Sequence, residues 1–182
     1  MIIQFCGLSG SGKTTLAQRV KELLTEQNIA VEIIDGDEYR KVLCADLSFN
    51  KQDRNTNIRR LAFVASRLSA YNIVAIICAI NPYEEIRQEV SALYPNVKTV
   101  FIDCHLEELI IRDTKGLYSK ALLPDGHPEK LLNLTGVNDP FDIPLDADLI
   151  IKSDEETIEE SASKLMDFIL INNYPWILEL KE

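Results

Sequence analysis

The stretch that most constrains this chain is "IIQFCGLSGSGKTT", residues 2–15. Five residues that read as a buried strand run straight into a glycine-rich turn, and the turn opens into an amphipathic run carrying Leu16, Val20, Leu23 and Leu24. Gly7, Gly12, Lys13 and Thr14 satisfy the pattern G-x4-G-K-S/T. In that pattern the loop, here with Leu8, Ser9, Gly10 and Ser11 between its outer glycines, curls its backbone N–H groups round a phosphate at a helix N-terminus. The lysine reaches the β- and γ-phosphates and the Thr14 hydroxyl holds Mg²⁺, with Thr15 extending the cradle. A plain glycine turn ahead of a helix is the alternative, and the strand on one side and helix on the other argue against it. ATP is the expected donor.

The rest of the chain repeats the alternation. Apolar or β-branched runs at 2–6, 30–34, 73–80, 97–103 and 147–152 predict five strands, several of them apolar at nearly every position, as in a sheet covered on both faces. Helical periodicity predicts helices over 13–27, 53–71, 83–93, 105–113 and 154–171. Strand and helix in alternation predict a doubly wound α/β domain, and 182 residues with 46% hydrophobic content suit a single one. Residues 115–144 break the rhythm, holding three of the seven glycines and four of the seven prolines. A stretch of that length without clear periodicity inside a compact domain predicts a lid, with Gly116 as a candidate hinge.

Charge narrows the partners. Twenty-nine acidic against nineteen basic side chains give a formal net charge of −10, which excludes the basic footprint that nucleic-acid or acidic-membrane binding requires. The residues ahead of the glycine loop are too few for a signal peptide and no apolar run is long enough to span a bilayer, so a cytoplasmic protein is expected. Cys6, Cys44, Cys78 and Cys104 lack C-x-x-C pairing and read as buried thiols, and His105 and His127 lack metal-ligand spacing and read as solvated or loop residues.

Against this acidic background, "FNKQDRNTNIRR" at 49–60 gathers Lys51, Arg54, Arg59 and Arg60. On a helical wheel Asn57, Ile58, Leu61, Ala65 and Leu68 fall within about 60° of Arg54, while Arg59 points about 140° away. Arg54 and Asn57 are therefore expected to face inward on the first turn, lining a cleft where an anion satisfies them, whereas Arg60 and Arg67 read as solvated. The second strand ends in "DGDEYR", 35–40, placing Asp35 and Asp37 at the sheet edge where open α/β folds bind ligands, with Gly36 allowing a sharp turn. One carboxylate can organise Mg²⁺ and its waters while the other meets an attacking hydroxyl. A plain turn with a helix cap is the alternative.

The ordered set "GLSGSGKTT", "DGDEYR", "LSFNKQDRNTNIRR", "INPYEEIR", "RDTKGLY" and "LTGVNDPFDIP" resembles the motifs of the adenylylsulfate kinase family, from residue 5 to about 152. The resemblance implies a three-layer P-loop kinase fold, a mostly parallel five-stranded sheet with helices on both faces and a lid. It also implies transfer of the ATP γ-phosphate to the 3′-hydroxyl of adenosine 5′-phosphosulfate (APS), giving 3′-phosphoadenylylsulfate and ADP, and the anion awaited by the arginines is then the phosphosulfate. It places Asp37, Arg40, Phe49, Arg54, Asn57, Ile80, Asn81 and Leu134 around APS, with Asp35 beside them, Lys115 reaching in from the lid, and Arg112 on the nucleotide. Catalysis falls to Lys13, Asp35 and Asp37, and Mg²⁺ to Thr14 and Asp35, partly through water.

The chain departs from the family pattern at three points. Asn81 stands where the family has serine, so no phosphoserine intermediate can form there and transfer must be direct. Leu134 stands where the family has an aromatic that clamps the APS adenine. Six residues precede Gly7, where the family carries a longer extension used in pairing, and a homodimer is left open. Two other readings remain at this point: a phosphate-loop kinase with another small alcohol as acceptor, and a catalytically idle nucleotide-binding module. The tail from 173 to 182, with Trp176, is assigned to packing on the domain or to a partner.

Overall fold

The computed structural model describes residues 1–174, so the tail from 175 onward, Trp176 included, lies outside the described residues. The order is β1 (Ile2–Cys6), α1 (Lys13–Glu26), β2 (Val31–Asp35), α2 (Gly36–Arg40), α3 (Lys51–Ser69), β3 (Val74–Cys78), α4 (Glu84–Leu93), β4 (Val97–Asp103), α5 (Leu106–Arg112), α6 (Leu117–Ala121), β5 (Leu149–Lys152) and α7 (Ile158–Asn173). The strands form one sheet in the order β2-β3-β1-β4-β5, and every pairing is parallel, where a mostly parallel sheet was expected.

Strands β1 and β3 are buried at every position because helices cover both faces. Ile3, Phe5, Ile76, Val100 and Ile102 pack against Leu16, Val20 and Leu24 of α1 and Leu165 and Ile169 of α7. On the other face Ile2, Ile34, Ala75 and Ile77 meet Ile58, Leu61 and Ala65 of α3 and Ile86 and Val90 of α4. Each such aliphatic side chain contributes about 1.5–3 kcal/mol through burial. One polar residue interrupts the central strand: Gln4 is fully buried, and its amide donates to the Arg87 carbonyl, Ser91 Oγ and Thr99 Oγ1 while its carbonyl accepts from Asn81 Nδ2.

Three expectations need correction. Gly36 does not make a turn; it begins the short helix α2, which Asp35 caps by accepting the Asp37 and Glu38 amides. Glycine lets α2 pack closely there, since an added Cβ would lie 3.2 Å from the Ala79 Cβ. The last helix starts at Ile158, not 154, because Thr157 and Glu160 close a capping box and leave 153–156 in a turn. The strand expected over 73–80 ends at Cys78, which frees Ala79–Pro82 to form a corner beside the cleft.

The segment 115–144 is ordered by its own contacts. The Asp113 carboxylate accepts the Tyr118 and Ser119 amides at the start of α6, and Asn138 accepts the Leu134 amide while donating to the Leu131 carbonyl. Leu134, Tyr118 and Ala121 share a third core with Leu109 and Cys104.

Candidate active site

β1 lies centrally, and the chain builds outward from it to β3 and β2 on one side and to β4 and β5 on the other. The C-terminal ends of β1, β2 and β3 therefore open on one crevice. A cavity of about 720 Å³ fills it, lined by Ser9, Gly10, Gly12, Lys13, Thr14 and Thr15 from the loop after β1 and by Asp35 and Asp37 from the end of β2. Phe49, Arg54, Ile80, Lys115 and Leu134 complete the wall, together with Cys78, Ala79, Thr114, Leu117, Leu131, Asn133 and Thr135. A smaller cavity of about 70 Å³ adjoins it, with Asp37, Phe49, Arg54 and Ile80 in both linings, and adds Arg40, Asn57 and Asn81.

The loop after β1 is shaped to receive an anion. Gly7 is held to the sheet by its N–H to the Ile80 carbonyl, and a Cβ there would lie 2.4 Å from the Ile102 carbonyl oxygen, so no other residue fits. Gly12 caps α1 at φ 89 with no side-chain cap bond, and no acidic residue sits in the first turn. The first amides of α1 and the positive end of its dipole are thus left for a phosphate. Lys13 folds back onto its own loop, donating to the Gly7 and Leu8 carbonyls at 2.9 and 2.6 Å and to Ser11 Oγ at 3.2 Å. Burial lowers its pKa from 10.5 to about 8.

Across the cavity Asp35 is held fast and Asp37 is not. Asp35 Oδ1 accepts two α2 amides and its Oδ2 accepts the Thr14 hydroxyl at 2.9 Å, joining the glycine loop to the end of β2. Asp37 reaches solvent and pairs with Lys115 at 2.6 Å. The Thr14 hydroxyl and Asp35 carboxylate are hard oxygen donors side by side, and this pair fits Mg²⁺, which binds through few protein groups plus substrate phosphates.

The helical-wheel reading of α3 holds: Arg54 and Asn57 are 7% and 5% exposed, while Arg59 and Arg67 lie outside. Arg59 pairs with Glu89 and Arg60 with Asp46. Arg54 is not idle in this state. It donates to the Phe49 and Asn133 carbonyls at 2.7 Å each and sits 3.2 Å from Asp139 Oδ2, tying α3 to the lid. The Phe49 ring lies under two cations, with the Arg40 and Arg54 guanidinium carbons 4.4 and 5.6 Å from its centroid. Buried side-chain oxygens of Asn57, Asn81 and Thr135 accept no hydrogen bond.

Arg112 stands apart from the other expected residues: it ends α5 with its guanidinium against the Cys104 sulfur and does not line the cavity. Leu8 and Ser11 support the loop from outside the lining. Two residues inside the quoted motifs went unassigned. Tyr118, of "KGLY", is buried and donates to the Ser9 carbonyl at 2.8 Å, fastening α6 to the phosphate loop, and burial pushes its pKa up to about 12. Arg87, of "INPYEEIR", is 1% exposed. All four cysteines are free and buried, and burial raises the Cys6 and Cys78 thiols to about 12. His105 is held by Asp154 at 2.6 Å, and that bond raises its pKa. Among the described residues no helix is long and apolar enough to cross a membrane.

Comparison with known proteins agrees with this geometry. The family model described as adenylylsulphate kinase matches residues 1–152. A protein named adenylyl-sulfate kinase from Deinococcus deserti is 40% identical over 171 residues, covering 94% of this chain and 92% of the relative. Another of that name from Chloroflexus aurantiacus is 41% identical, covering 91% and 87%. The solved APS kinase of Mycobacterium tuberculosis, in complex with AMPPNP and APS, superposes with a TM-score of 0.84 at 35% identity, covering 92% of this chain and 96% of that one. Matched by the family model over most of its length and by full-length relatives at about 40% identity, this chain belongs to the adenylylsulfate kinase family.

Proposed function

We propose that the cleft divides the adenylylsulfate kinase reaction between its two ends. The glycine-loop end of the main cavity holds ATP, and APS lies at its other end, between Phe49 and Leu134 and reaching into the recess between α2, α3 and the corner after β3. The reaction moves the ATP γ-phosphoryl group to the 3′-hydroxyl of APS. The observation that carries this reading is that the two cavities adjoin, sharing Asp37, Phe49, Arg54, Ala79 and Ile80 in their linings, which sets a donor end and an acceptor end side by side.

Phosphoryl transfer asks a protein mainly for position and charge. Lys13 exchanges its contacts with the loop carbonyls for the β- and γ-phosphates, and the incoming negative charge restores its full ammonium character. Asp37, exposed and held only by Lys115, orients the acceptor hydroxyl and takes its proton. Lys115, once released, follows the charge of the transferring group. Thr14 and Asp35 would hold Mg²⁺, which would supply charge neutralisation across the phosphates. Asn81 offers no nucleophile at its corner, so transfer runs directly from donor to acceptor. Arg40, Arg54 and Asn57 receive the phosphosulfate, and Phe49 and Leu134 cover the adenine.

ADP release measured over a panel of APS, shikimate and gluconate tests the assignment. Turnover with APS alone is expected; turnover confined to another alcohol would overturn the acceptor, and none with any would return the chain to a binding module.

A further inference from the structure

We infer that Arg87 is a positioning residue for the acceptor recess: it clamps the corner after β3 to the segment that closes the lid. Arginine in "EEIR" on a helix reads as a surface residue, yet this one is among the largest fully buried side chains. Its Nη1 donates to the Asn81 carbonyl at 2.7 Å and its Nη2 to the Asp142 carbonyl at 2.6 Å. Glu84 accepts from Nε and Nη2 and neutralises the charge. The Phe141 ring, stacked on Phe101, lies 5.9 Å from the guanidinium carbon.

Both carbonyls belong to segments with functional neighbours. Asn81, at φ 48, lines the smaller cavity beside Ile80 and Pro82 and is anchored from below by Gln4. Asp142 is stitched to the same corner twice more: its amide donates to the Pro82 carbonyl at 2.8 Å and its carboxylate accepts the Glu84 amide at 3.0 Å. The corner and the lid's C-terminal root are therefore bonded into one unit, with Arg87 at its centre. The guanidinium reaches the two carbonyls from two different nitrogens held in one rigid plane, with Nε left for Glu84, a spread of donors that the single nitrogen of a lysine does not reproduce. A loosened corner alters the recess for APS, while the phosphate loop, joined to the corner by the Gly7 N–H to the Ile80 carbonyl, keeps its separate anchors to Tyr118 and Asp35.

The inference rests on the acceptor reading, so its test has one arm that needs no substrate. Arg87→Lys is compared with Val90→Ala, a cavity substitution on the same helix that destabilises without touching Asn81 or Asp142. In the unliganded proteins, amide hydrogen exchange in segments 80–84 and 140–142 is expected to quicken at least tenfold in Arg87→Lys beyond any change in Val90→Ala. With substrates, the APS KM should rise at least tenfold in Arg87→Lys while the ATP KM stays within twofold, and Val90→Ala should leave both alone. Unchanged exchange in the two segments overturns the inference whatever the acceptor proves to be. So does an APS KM that rises equally in Val90→Ala, since Arg87 would then be acting through stability. A wild-type protein that ignores APS would refute the acceptor reading while the exchange arm still decides the role of Arg87.

Discussion

Lys115 Nζ lies 2.6 Å from Asp37 Oδ2, so the residue that heads the lid is bonded across the cleft to the carboxylate at the start of the acceptor recess. The two side chains are 54% and 74% exposed, and an ion pair so well solvated adds little to stability. In the mechanism proposed above its significance is positional, because it holds a cation beside the carboxylate assigned as the base.

Lys115→Ala is therefore expected to leave the melting temperature within about 2 °C of wild type and to lower kcat by roughly 10²- to 10³-fold, the usual cost of one lost charge on a developing transition state. Thermal melts beside steady-state kinetics check this. A large melting shift with little kinetic loss would make the pair structural.

Lys13 gives a pH signature. Its pKa falls from 10.5 to about 8 on folding, so between those values the unfolded chain holds a proton that the folded chain has released. More protons on the unfolded side means that stability of the unliganded protein rises with pH across this window, by at most about 1.4 kcal/mol per unit. Nucleotide phosphates reverse the shift, so ATP binding above about pH 8 should take up a proton. Calorimetry in two buffers of different ionisation heat measures that uptake. Lys13→Met should abolish both the stability slope and the proton, and remove most turnover.

Arg54→Ala should act twice. The side chain is buried against Asp139 and bonded to the Phe49 and Asn133 carbonyls, so its loss leaves unpaired groups and destabilises the protein by about 1.5–3 kcal/mol even without ligand. It should also weaken APS far more than ATP, as a lost charge-assisted contact does. Arg67→Ala, on the exposed face of α3, should change neither. Denaturant melts and separate titrations of the two ligands resolve the effects.

The phase of α3 was legible because apolar residues at helical spacing fix which side faces in, and Arg54 and Asn57 share that side. Their partners were not, since Asn133 and Asp139 are some eighty residues further along the chain and meet Arg54 only through the lid. Helix α2 escaped because five residues starting with glycine carry no period. The late start of α7 was in fact written in "TIEE", a capping-box pattern outweighed by the acidic run before it. Arg87 was hidden for a further reason: the carbonyls that justify its burial carry no side-chain signature.

Phe49 and Leu134 were expected to act as the two halves of an adenine clamp, and both line the main cavity, but the structure gives them unequal duties. Phe49 is 51% exposed and touches mainly cations, whereas Leu134 is 4% exposed and packs with Leu109, Tyr118 and Ala121. Phe49→Ala should therefore leave stability nearly unchanged and weaken APS. Leu134→Ala should cost about 2–3 kcal/mol of stability, as deletion of a buried leucine does, with a smaller effect on APS. Leu134→Phe sets two terms against each other. A ring kept within the small core costs roughly 1–3 kcal/mol of overpacking, while a ring turned toward the cavity, where there is room, gains a stacking increment of about 0.5–1.5 kcal/mol on the adenine. The open side favours the second, so APS should bind about two- to tenfold tighter with ATP unchanged and the melting temperature slightly lower. Titration of both ligands into the three variants separates these outcomes. A phenylalanine variant that loses stability without gaining APS affinity would show that position 134 serves the core alone.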